Sequence, residues 1–91
     1  NYLHKLKKKK YLEIMKNKLS FESLIKLISK ICNIEKTNIR KTTKIHDIEE
    51  WDSLANVRIF LEIEKNYNIK LRPEDIEDFE TIESFYNYLS K

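Results

Sequence analysis

The side chains of this chain that could support nucleophilic catalysis are few and far apart. Ser53 lies in the triplet Asp52-Ser53-Leu54, and the histidines are His4 and His46. A serine nucleophile needs a general base within hydrogen-bond reach and donors for an oxyanion. A nucleophile elbow also needs flanking glycines, and the chain contains none. We therefore expect no catalytic residue and no enzyme activity of its own.

Metal and thiol chemistry are also poorly supported. Cys32 is the single cysteine, which excludes an internal disulfide and is typical of a reducing compartment. A zinc site draws several ligands from cysteines and histidines, whereas His46 stands alone in its region. We expect no metal site, and we expect Cys32 to be a small packed residue, because no adjacent sequence feature would lower its pKa.

Ser53 is better placed to accept a group from another enzyme. It stands where a loop gives way to an amphipathic helix, so its hydroxyl is expected at a helix N-terminus. A phosphodiester there would meet free backbone N–H groups and the positive end of the helix dipole. The alternative is that Asp52-Ser53 is an ordinary helix N-cap, and the triplet alone favours this alternative.

The hydrophobic spacing predicts an all-α fold, a small four-helix bundle with three longer helices and a short third one. Ser20 and Thr81 are suitable N-caps for the first and fourth helices, and Pro73 suits the first turn of the third. The absence of glycine and the single proline argue against a turn-dense β fold. The predicted helices cover about residues 20–33, 52–67, 73–79 and 81–89.

Residues 34–51 are predicted to form a long loop, unusual in a small domain unless it packs or functions. Four isoleucines spread through it are expected to hold it against the core. The second helix carries apolar residues on more than one face, which indicates either deep burial or a partner site. The isoleucines are Ile34, Ile39, Ile45 and Ile48.

Charge divides the chain in two. Residues 1–45 carry 13 Lys+Arg and 3 Asp+Glu, whereas residues 46–91 carry 5 and 12. We predict a basic N-terminal extension over 1–18 and one domain over 19–91. The run Lys7–Lys10 could contact nucleic acid or an anionic membrane, but few aromatic residues accompany it and the acidic half opposes it. We expect no nucleic-acid partner. No apolar run approaches the roughly 20 residues of a membrane span, so we expect no stable membrane insertion. The N-terminus lacks the hydrophobic region of a signal peptide followed by small residues, so we expect a cytoplasmic protein.

Several short motifs follow one another at characteristic spacing, and together they resemble the acyl carrier protein family. The resemblance is carried from Ile45 to Leu89, and it covers about residues 19–91 once the first helix and the long loop are included. The motifs are Glu50-Trp51-Asp52-Ser53-Leu54, Val57-Arg58-Ile59-Phe60-Leu61-Glu62-Ile63-Glu64, Tyr67-Asn68-Ile69 and Pro73-Glu74-Asp75.

The resemblance implies that Ser53 carries 4′-phosphopantetheine, transferred from coenzyme A by a phosphopantetheinyl transferase. The thiol of this arm would hold an acyl or aminoacyl group as a thioester for the enzymes that load and transfer it. Asp52 would position the metal and the cofactor during transfer. The partner-facing residues implied are Leu54, Val57 and Leu61. Acidic contacts could come from Glu62 and from Glu64, the latter turned partly inward. The chain is expected to be a monomer.

Three features depart from the usual pattern of that family. Trp51 stands where a glycine or small residue is common, and we favour packing as its role. Arg58 replaces a common acid on the second helix and adds a positive contact to the partner face, and the first half of the chain is unusually basic. These departures suggest a dedicated carrier for one specialised pathway. The alternative is an unmodified helical interaction module with a carrier-like fold.

Overall fold

The computed structural model describes residues 19–91, which form a small bundle of four helices without a strand. The predicted all-α fold, with three longer helices and a short third one, is confirmed. No helix in this range is long and apolar enough to cross a membrane. The predicted extension 1–18 lies outside the described residues. The four helices of the bundle are α1 (Phe21–Cys32), α2 (Ser53–Tyr67), the short 3-10 helix Pro73–Asp78 and α3 (Ile82–Leu89), and the loop before α2 contains two single-turn 3-10 helices, Lys36–Asn38 and Ile45–Asp47.

The ends of the helices are set by polar side chains. Ser20 and Thr81 each accept a hydrogen bond from the backbone N–H three residues further on, so both predicted N-caps are confirmed. After α1 and α2 the chain turns through the left-handed region at Asn33 (φ 57°) and Asn68 (φ 54°). Glycine usually occupies such positions, and asparagine is the side chain that best tolerates them in a chain without glycine.

The core lies between the three α-helices and is centred on the ring of Phe85, which is fully buried. This ring stacks on Phe60 at 5.6 Å between centroids and lies 5.3 Å from Phe79 and 6.0 Å from Trp51. Packing is therefore the role observed for Trp51, as expected. The other side chains with no exposed surface are Leu24, Ile28, Ile59, Ile63 and Ile82.

The long loop before α2 is held against the bundle, as predicted. Ile39, Ile45 and Ile48 are buried, and Ile34 is half-buried against the core. Backbone hydrogen bonds also join the loop to the start of α3, including an isolated antiparallel bridge between Lys44 and Thr81. This attachment fixes the residues that lead into α2, and thereby the position of its first turn.

Candidate functional site

Ser53 is the first residue of α2, and the helix is capped by its neighbour. The Asp52 carboxylate accepts a hydrogen bond from the backbone N–H of Ala55 at 2.8 Å, and the Asp52 carbonyl accepts the N–H of Asn56 at 2.9 Å. The Ser53 side chain is exposed and takes no part in the hydrogen bonds among residues 19–91. Asp52 thus fills the N-cap role, which leaves the Ser53 hydroxyl accessible.

The surroundings of this hydroxyl fit a phosphodiester link. The N–H groups of Ser53 and Leu54 lie in the first turn of α2, where no intrahelical acceptor exists. They point toward the helix N-terminus, where the dipole also favours a negative group. The residues present can therefore hold the phosphate end of a 4′-phosphopantetheine arm.

A groove of about 590 Å³ opens beside Ser53, between the loop, the start of α2 and the short helix. Both apolar and ionisable residues line the groove. The apolar lining residues are Ile45, Ile48, Trp51, Val57, Pro73 and Ile76, and the ionisable ones are His46, Asp52, Glu74 and Glu77.

The ionisable side chains that line this groove are mostly acidic. Three carboxylates line it, together with His46, and no lysine or arginine does. Within residues 19–91 there is no group of three or more His, Cys, Asp or Glu side chains arranged to hold a metal ion. These carboxylates oppose negative charge elsewhere in the groove, whereas at Ser53 itself the free N–H groups and the dipole of α2 favour the phosphate.

A buried polar contact that the sequence did not predict lies at the base of the groove. Trp51 Nε1 donates to Asn56 Oδ1 at 2.8 Å, and Asn56 Nδ2 donates to the carbonyl oxygen of Pro73 at 2.8 Å. Among residues 19–91, Asn56 is the single polar side chain that is buried. The available signal was its spacing, since position 56 shares the inward face of α2 with Ile59, Phe60 and Ile63.

The residues predicted to face partner enzymes lie in one stripe on α2, on the side away from the core. Leu54 is 69% exposed, Val57 39% and Leu61 59%, and Arg58 is exposed between them. Their spacing of three and four residues brings their side chains together. Glu62 lies at the edge of the stripe, half-buried, and accepts a hydrogen bond from Asn66 Nδ2 at 3.2 Å.

Cys32 is buried at the end of α1. Burial raises the pKa of its thiol to about 11, and the negative charges of Glu50 and Asp52 add to the effect. The thiolate is the reactive form of cysteine, so the raised pKa agrees with the packed, unreactive residue predicted from the sequence.

We expect Cys32 to resist alkylation by iodoacetamide at pH 8 in folded protein, because its thiol stays protonated until the pH approaches 11. Intact-mass analysis after labelling measures this directly. Labelling in urea at the same pH provides the control, since an unfolded cysteine returns to its ordinary pKa. Rapid single labelling of the folded protein at pH 8 would contradict the burial of Cys32.

Comparison with known proteins adds independent observations. The family described as phosphopantetheine attachment site matches residues 22–89. The chain is also 32% identical over 65 residues to an acyl carrier protein of Buchnera aphidicola subsp. Schizaphis graminum (strain Sg). This alignment covers 71% of the chain and 82% of that protein. No solved structure gives a significant match.

Proposed function

The chain belongs to the family of phosphopantetheine-attachment carrier proteins, and we propose that its 4′-phosphopantetheine is attached to Ser53. Members of this family carry that group covalently and are carriers, not enzymes. When bound, the group supplies a thiol that holds an acyl load as a thioester. We propose that this chain presents such a load, acyl or aminoacyl, to its partner enzymes.

The observation that carries the assignment is the exposed Ser53 hydroxyl at the start of α2, beside the groove. Asp52 already caps the helix, so Ser53 has no structural task that would compete with modification. During transfer, the Ser53 oxygen forms the new bond to the phosphorus of the pantetheine side, the pyrophosphate bond of coenzyme A breaks, and adenosine 3′,5′-bisphosphate leaves. The transferase supplies the base that takes the serine proton, and Asp52 helps to position its metal ion.

We further propose that partners dock on the stripe of Leu54, Val57, Arg58 and Leu61, with Glu62 at its edge. Three exposed apolar side chains on one helix face form the anchor that such interfaces use. No ion pair among residues 19–91 involves Arg58, so its charge is available to an acidic group of a partner.

Arg58 and the basic first half of the chain support a dedicated carrier in a specialised pathway. We propose a cytoplasmic monomer, because a reducing compartment keeps the thiol of the arm free to accept its load. The division into a basic extension over 1–18 and a carrier domain over 19–91 is part of the same proposal.

The proposal is tested by incubating the folded protein with coenzyme A, Mg²⁺ and a promiscuous phosphopantetheinyl transferase. We expect intact-mass analysis to show the addition of one phosphopantetheine group, and peptide mapping to place it on Ser53. Well-folded protein that gains no mass would instead favour the unmodified interaction module, which needs only the exposed stripe on α2.

A further inference from the structure

The contact at the base of the groove joins three separate segments of the fold. An indole N–H can only donate a hydrogen bond and a backbone carbonyl can only accept one. The Asn56 amide therefore has one orientation, with its oxygen on Trp51 and its nitrogen on Pro73. Both hydrogen bonds are 2.8 Å long, and together they tie the loop to α2 and α2 to the short helix.

The space behind this contact is filled. The Trp51 ring packs edge-on against Phe85, and Phe85 in turn contacts Phe60 and Phe79. Phe85 has no surface that a water molecule can reach, so no void of that size borders it. The groove thus ends at Trp51 and Asn56, with a close-packed aromatic cluster beyond them.

We propose that Trp51 and Asn56 determine which loads this carrier accepts, by closing the groove beside Ser53 from the bundle interior. The inference rests on the proposed attachment at Ser53. A short acyl load lies within the groove of about 590 Å³. A longer alkyl chain cannot bury its further carbons in the core, so those carbons stay in solvent. The carrier therefore suits short acyl groups.

Breaking this contact costs free energy before any free energy is gained by burying an alkyl chain. Moving the short helix away from α2 would leave the Asn56 amide without its acceptor on Pro73, and displacing Trp51 would leave both its N–H and the Asn56 carbonyl without partners. Buried polar groups that lose their partners are strongly unfavourable. The contact therefore favours the closed arrangement for short and long loads alike.

The test compares loads of increasing length on the native chain. Acetyl, butyryl, octanoyl and dodecanoyl coenzyme A are used with the transferase, and intact mass confirms each product before its thermal midpoint is measured. Each methylene group of the load that became buried in the core would raise the thermal midpoint by about 3–6 °C. We expect no increase from butyryl to dodecanoyl, and a steady rise along the series would overturn the proposal.

Variants then assign the effect to the contact. Asn56→Ala removes both hydrogen bonds, whereas Trp51→Phe keeps an aromatic ring against Phe85 while removing the N–H donor and part of the indole ring. Asn66→Ala is the matched control, because Asn66 is an exposed asparagine further along α2. We expect the midpoint to rise with chain length in Asn56→Ala and Trp51→Phe, each measured against its own unloaded form, and to stay flat in Asn66→Ala. If the midpoint stayed constant with chain length in both Asn56→Ala and Trp51→Phe, the contact would not have the role that we assign to it.

Trp51 provides a second readout, since it is the single tryptophan of the chain and lines the groove. We expect its fluorescence to change when butyryl is loaded, and to change by the same amount with dodecanoyl. Unchanged fluorescence on loading would overturn the placement of the load in the groove. Failure of attachment itself appears as the absence of a mass gain, so it is distinguished from failure of this inference.

Discussion

Replacing Ser53 by alanine is expected to abolish phosphopantetheine attachment completely while leaving the thermal midpoint almost unchanged. The hydroxyl is exposed and takes part in none of the hydrogen bonds among residues 19–91. Alanine also has the highest intrinsic helix propensity. The stability cost should stay within about 0.5 kcal/mol, so any loss of modification reflects the missing oxygen and not a damaged fold.

Asp52→Ala is the matched comparison, because the two residues are adjacent but have different tasks. Loss of the hydrogen bond from Ala55 N–H to the Asp52 carboxylate should cost about 1 kcal/mol, which corresponds to a fall in the midpoint of about 4–8 °C. Intact mass and thermal unfolding of both variants measure the two effects. If Ser53→Ala lost the larger share of stability, the assignment of the cap to Asp52 would be wrong.

The structure resolves an ambiguity that the sequence left at Asp52-Ser53. Aspartate and serine are both strong N-cap residues and stand one position apart, so local pattern could not say which side chain caps α2. The capping hydrogen bond answers the question, since the acceptor is the Asp52 carboxylate. The helix order and the end of α2 at Tyr67 were predictable because hydrophobic spacing and Asn68 are local signals.

The groove depends on contacts that local pattern does not encode. Asn56 interrupts an apolar face, and its acceptor on Pro73 lies 17 residues further along the chain. The bridge between Lys44 and Thr81 is likewise formed by distant segments. Only the packed fold brings these groups together, so the sequence predicted the position of Ser53 at the start of α2 but not the surface beside it. The roles of the partner-facing residues stay predictions, because exposure alone does not identify a partner.

Phe60→Ala is expected to lower the free energy of unfolding by about 3–5 kcal/mol, because truncation of a buried phenylalanine removes apolar contacts and leaves a cavity. The Phe60 ring is 2% exposed and stacks on Phe85. Small domains are stable by only about 5–15 kcal/mol in total, so the variant should lie close to its unfolding transition at room temperature. Urea unfolding followed by circular dichroism measures the loss.

Leu61→Ala separates the fold from the docking surface at the next position of the same helix. Consecutive side chains of a helix differ by about 100° around its axis. Phe60 therefore lies in the core, whereas Leu61 is 59% exposed. Its truncation should therefore change the unfolding free energy by less than about 0.5 kcal/mol. The kcat/KM of the transferase should nevertheless fall, because an apolar anchor is lost from the stripe. Equal destabilisation by Phe60→Ala and Leu61→Ala would show that the two faces of α2 are wrongly assigned, and with them the surface on which partners are proposed to dock.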